Sequence, residues 1–150
     1  MLSKEQRDLL ETRIIDLILA VRSAYMHECK GRSALDYWTR IENRMQAAAR
    51  RAKSASHWCT LFLQGMQLTN VDNSGSSAMT ELIAFCDETD CHRELRALIK
   101  DEHPFLVVQA KLIIQAIKEK KTDQIATKFD AASIVAAAEK YGILEEEKAI

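Results

Sequence analysis

The stretch WTRIENRMQAAARRAKSASHWCTLFLQGM, residues 38–66, decides how this chain folds. Within it Trp38, Ile41, Met45, Ala48, Ala52, Ala55, Cys59, Phe62 and Met66 recur at spacings of three and four. That period puts them on one face of an α-helix, and such a stripe needs another helix to bury it. The middle of the stripe is small (Ala48, Ala52, Ala55) and its ends are bulky. The pattern predicts a helix crossed closely at its centre and anchored at both ends. Ser33 offers an N-cap, so the helix spans about 34–68, either continuously or with a break near Ser54 to His57.

Upstream, Ser3 and Gln6 have capping-box spacing and predict a first helix from Lys4. Its apolar face holds Leu10, Ile14, Leu17, Ile18, Val21 and Tyr25, and Gly31 is its stop. Downstream, residues 69–77 (TNVDNSGSS) read as a loop. Shorter helices follow: about 78–86, 91–100 after a turn capped by Asp87, Glu88 and Asp90, then 104–120 opening on Pro104. The apolar run Phe105, Leu106, Val107, Val108, Leu112, Ile113, Ile114 and Ile117 makes 104–120 the expected most buried element. Asp123 and Asp130 look like further caps, and Gly142 ends a last helix from Ala131. The fold class is therefore all-α: a single-domain helical bundle over 1–150. It has a long N-terminal helical hairpin (3–68), a loop (69–77), shorter C-terminal helices (78–143) and a frayed tail (144–150).

Composition agrees with this. The chain has 150 residues, 47% of them hydrophobic, with only 4 Gly and 1 Pro, which speaks against a turn-rich β fold. Its 21 basic and 22 acidic residues leave a net charge of −1, so no global pull toward polyanions or membranes exists. No apolar run is long enough to span a bilayer, and MLSKEQRDLLE does not read as an export signal. The expected compartment is the cytoplasm, with the 4 cysteines as reduced thiols.

The side chains offer four candidate chemistries. For metal, His27-x-Cys29, His57-x-Cys59 and the set Cys86, Cys91, His92 supply soft ligands. Residues two apart on a helix point away from each other, and no Cys-x2-Cys pair exists. Buried thiols explain them better, so no metal or other cofactor is expected. For nucleic acid, Arg40, Arg44, Arg50, Arg51 and Lys53 could form a basic ridge along a phosphate backbone; overall neutrality favours a solvated helix face. Residues 122–143 have the cadence of a helix-turn-helix, but the alanine-rich 131–138 segment offers almost nothing to read base edges. For catalysis, no phosphate loop, nucleophile elbow or HExxH is present, and the chain is read as no enzyme.

The functional expectation is a helical protein–protein interaction module: an adaptor, regulator or inhibitor, such as small phage or mobile-element proteins provide. It would dock an unidentified protein partner through helix 34–68. Tyr37, Trp38, Arg40, Arg44, Arg51 and Trp58 are the candidate anchors, because tryptophan, tyrosine and arginine dominate interfaces. Self-association through the stripe is a further expectation. The alternative is a small helical subunit of a nucleoprotein complex using the 40–53 ridge.

Overall fold

The computed structural model describes residues 2–28, 34–68, 73–125 and 131–140. Among these the chain forms α1 (Lys4–Glu28), α2 (Ala34–Arg51), α3 (Ala55–Met66), α4 (Asn73–Thr89), α5 (His92–Lys118), a 3-10 turn (Thr122–Gln124) and α6 (Ala131–Lys140). No strand occurs among the described residues. The all-α class is as the periodicity predicts.

Helix α1 starts as its sequence dictates. The Gln6 amide donates to Ser3 Oγ at 3.1 Å and the Ser3 amide donates to Gln6 Oε1 at 3.0 Å, a reciprocal capping box. Along its length Leu10, Ile14, Ile15, Leu17, Ile18, Leu19, Ala20 and Val21 are all buried. Five consecutive apolar positions, 17–21, cover every side of a helix, so α1 must be surrounded. It packs against α4, α5 and α6. This corrects the expectation that 104–120 is the most buried element: there Phe105, Val108 and Leu112 are exposed.

The 38–66 stripe does not lie on one continuous helix. The chain breaks at Ala52–Ser54, and α3 folds back along α2, with Met45 against Trp58 and Arg44 against Gly65. Three amides at the corner find side-chain acceptors. The Lys53 amide donates to His57 Nδ1 (3.1 Å), the Ala55 amide to His92 Nδ1 (3.0 Å) and the His57 amide to Ser54 Oγ (3.1 Å). Those contacts satisfy donors that a helix start leaves without intrahelical partners. The two halves of the stripe then meet each other inside one core: Ile41, Met45 and Ala48 from α2, and Ala55, Cys59, Phe62 and Met66 from α3. The stripe finds its partner helix within the chain and is not available to a second copy.

Three more boundaries differ from the sequence reading. Helix α4 begins at Asn73, inside the stretch read as a loop, and ends at Thr89, whose hydroxyl donates to the Phe85 carbonyl at 2.7 Å. The acids Asp87 and Glu88 therefore sit in the last turn of α4. The following N-cap is Cys91, which makes no side-chain cap bond, after a left-handed Asp90 at φ 53°. Second, α5 runs unbroken through Pro104. Proline lacks the N–H that would bond the Lys100 carbonyl. His103 Nδ1 lies 3.1 Å from that oxygen and supplies the missing donor. Third, Asp123 lies within the 3-10 turn, whose N-cap position is Lys121 with no side-chain cap bond. The Gly31 stop, the Ser33 and Asp130 caps, the Gly142 terminus, Cys29 and residues 69–72 of the stretch read as a loop lie outside the described residues.

Candidate functional site

Helix α2 lies alongside α5 in the opposite direction: Trp38 faces Lys111, and the Ala49–Lys53 end of α2 faces Asp90–Asp101. Short side chains at Ala49 and Ala97 leave a groove between the helices, with Arg50, Arg93, Arg96, Lys100 and Asp101 around it, of about 340 Å³. It adjoins a second depression of about 440 Å³ lined by Lys53, Asp90, His92, Arg93, Glu94 and Arg96. Arg93, Arg96 and Lys100 are spaced i, i+3, i+7, so they form one cationic row on α5. Arg50 and Lys53 form the opposing wall.

The charges here are unbalanced within the chain. Arg7 is paired with Glu102 at 2.8 Å and Arg13 with Glu81 at 3.2 Å. By contrast, Arg50, Lys53, Arg93, Arg96 and Lys100 make no ion pair among the described residues. All are exposed. Their mutual repulsion is relieved by solvent or by an anionic partner. Asp90, Glu94 and Asp101 are interspersed among them, so the groove presents a pattern of both signs in which cations predominate.

The sequence-predicted anchors scatter. Tyr37 is fully buried, its hydroxyl donating to the Ile18 carbonyl at 3.0 Å. Trp58 is fully buried, its Nε1 donating to the Met45 carbonyl at 3.2 Å, with its ring stacked 5.0 Å from Phe62. Neither can anchor a partner; both fill the core, because the stripe closes on itself. Trp38 is half-buried, edge-on to Tyr37 at 4.7 Å and covered by Lys111 Nζ 5.3 Å from its ring centre. Arg40 is half-buried, with Nη2 3.4 Å from the Gly65 carbonyl and its Nε buried without a hydrogen bond. It braces α3, and so does the stem of exposed Arg44, whose Cδ lies 3.0 Å from where a Cβ on Gly65 would stand. Of the 40–53 ridge, Arg44, Arg50, Arg51 and Lys53 are exposed, and the last three sit together at its C-terminal end. What sequence reasoning missed is the other wall. The Arg93–Arg96–Lys100 spacing was visible, but not that α5 lies beside α2.

No group of three or more His, Cys, Asp or Glu able to hold a metal occurs among the described residues. His92 commits both ring nitrogens: Nδ1 accepts from the Ala55 amide, and Nε2 meets Asp87 Oδ1 at 3.1 Å. Because an amide only donates, the ring proton sits on Nε2. Cys59, Cys86 and Cys91 are buried free thiols. Burial pushes the Cys59 thiol up to about 12. Burial, and then the adjacent Cys91, push Cys86 upward too. Such thiols are poor nucleophiles and poor ligands.

No helix among the described residues is long and apolar enough to cross a membrane. Comparison with protein-family models, with curated proteins and with solved structures found no match to this chain.

Proposed function

We propose that this chain is a non-enzymatic interaction module of the cytoplasm, an adaptor, regulator or inhibitor that docks an acidic protein surface into the α2–α5 groove. One observation carries the reading: Arg50, Lys53, Arg93, Arg96 and Lys100 converge from the α2 end and from α5 and make no ion pair among the described residues, while Arg7 and Arg13 on other faces are ion-paired. Arginine offers a planar fork for carboxylates, and arginines at the centre of an interface are frequent hot spots. The interspersed Asp90, Glu94 and Asp101 favour a protein over a phosphate backbone. A uniform polyanion is repelled by each of them, whereas a protein can match both signs.

The nucleic-acid reading keeps one supporting fact, the cationic row on α5 that extends the end of the 40–53 ridge. A single experiment separates the two. The full chain and its Arg93→Glu/Arg96→Glu variant serve as bait in extract from the native host, with and without nuclease. Capture of an acidic protein that resists nuclease and disappears with the variant supports the proposal. Capture abolished by nuclease, or capture indifferent to the charge reversal, overturns it. Single- and double-stranded probes across a salt series complete the test, since phosphate contacts give a steep loss of affinity with salt.

A further inference from the structure

The junction between α4 and α5 is closed by a Schellman turn. Thr89 ends α4, Asp90 follows in the left-handed conformation at φ 53°, and the Cys91 amide donates back to the Cys86 carbonyl at 3.1 Å. The two residues joined by that bond in such a turn bring their side chains together, and an apolar contact commonly fills the space. Here both residues are cysteines. Both are fully buried, and their thiols share a hydrogen bond. A third buried thiol, Cys59 on α3, lies near enough to act electrostatically on Cys86.

We propose that Cys86 and Cys91 are a redox-sensitive pair, which a small-molecule disulfide such as glutathione disulfide oxidises to a bridge between the end of α4 and the head of α5. A disulfide needs α-carbons within about 7 Å and side chains that point toward each other. The turn supplies the closeness and the shared hydrogen bond shows the direction. Cys59 approaches from a separate helix and is not tied to this turn, so Cys86 and Cys91 are the pair that the backbone holds in register. In the exchange, one cysteine loses its proton and attacks a sulfur of glutathione disulfide, releasing one glutathione thiolate. The second cysteine then attacks the protein sulfur of that mixed disulfide and releases the other. One S–S bond breaks and one forms; the two cysteine protons pass to the two glutathiones, and two electrons reduce the oxidant. Burial keeps the pair inert while the corner is closed, so the exchange waits on local opening of the α4–α5 turn. In a reducing compartment the pair rests as a dithiol and closes under oxidative load. Once formed, the bridge fixes the head of α5, where His92 accepts from the Ala55 amide, to the end of α4. None of this depends on what the groove binds.

The full chain, first reduced and then incubated folded with excess glutathione disulfide, is the test. Peptide mapping after alkylation should find Cys86 joined to Cys91, with a mass lower by two hydrogens and the helical circular dichroism unchanged. Free thiols counted in denaturant should fall from 4 to two and return with dithiothreitol. Cys59→Ala should still form the bridge, and Cys91→Ser should not. A chain that stays fully reduced, that carries glutathione adducts only, or that bridges Cys59 or Cys29 in preference overturns the proposal. So does a Cys86–Cys91 bridge that costs the helical spectrum, since that bond would then fit only an unfolded corner.

Discussion

Truncating Trp58 to alanine should destabilise the fold severely. Its side chain is fully buried, stacked on Phe62, and donates to the Met45 carbonyl across the α2–α3 corner. A tryptophan buries on the order of 200 Å². At about 25 cal/mol per Å² this corresponds to ~5 kcal/mol of transfer free energy. Partial collapse of the cavity reduces the loss, while the Met45 carbonyl left without its donor adds about 1 kcal/mol. The expected net loss is ~3–5 kcal/mol, a large part of the roughly 5–15 kcal/mol that holds an ordinary domain together. Trp58→Phe keeps the stacking but not the N–H, and should cost about 2 kcal/mol. Urea unfolding followed by far-ultraviolet circular dichroism measures both. A loss below about 1 kcal/mol for Trp58→Ala would refute the burial argument and return Trp58 to the surface as a docking anchor.

Three other outcomes are expected. Pro104→Ala should stabilise α5 by about 1–3 kcal/mol, because alanine restores an amide to the Lys100 carbonyl; a drop in thermal midpoint would contradict this. Ser54→Ala should cost ~1 kcal/mol through loss of the α3 cap, read by chemical denaturation. Cys59 sets an alkaline limit. Its thiol ionises near its ordinary 9.0 when unfolded but only near about 12 when folded, so above pH 9 the unfolded state binds fewer protons. Stability should then fall with rising pH by up to about 1.4 kcal/mol per unit until the folded thiol itself ionises. In Cys59→Ala this contribution should vanish, and an unchanged slope between pH 9.5 and 11 would contradict the assignment.

The local signals were legible and the long-range ones were not. Ser3 and Gln6 announced the start of α1 because a capping box is complete within four residues. The period of the 38–66 stripe announced helix, since it depends only on spacing. The break at Ser54 was ambiguous: two of its stabilising acceptors, Ser54 and His57, are local, but the third, His92, lies 37 residues from Ala55. Pro104 looks like a helix start in the sequence because proline favours the first helical position; the donor to the Lys100 carbonyl comes from the neighbouring His103. Tyr37 and Trp58 look like anchors in the sequence because an amphipathic stripe gives no sign of whether its partner is internal or foreign. The groove needed the pairing of α2 with α5, which no short-range pattern encodes.

The bond from the Ala55 amide to His92 Nδ1 also governs how the molecule can be divided. The corner that folds α3 back on α2 is fastened by a side chain at the head of α5, itself steadied by Asp87 at the end of α4. The first half of the polypeptide therefore lacks part of its own scaffolding until the second half has arrived. A fragment that ends near residue 70 would lack the acceptor of the Ala55 amide at this corner. Severing the molecule near residue 70 leaves two incomplete pieces.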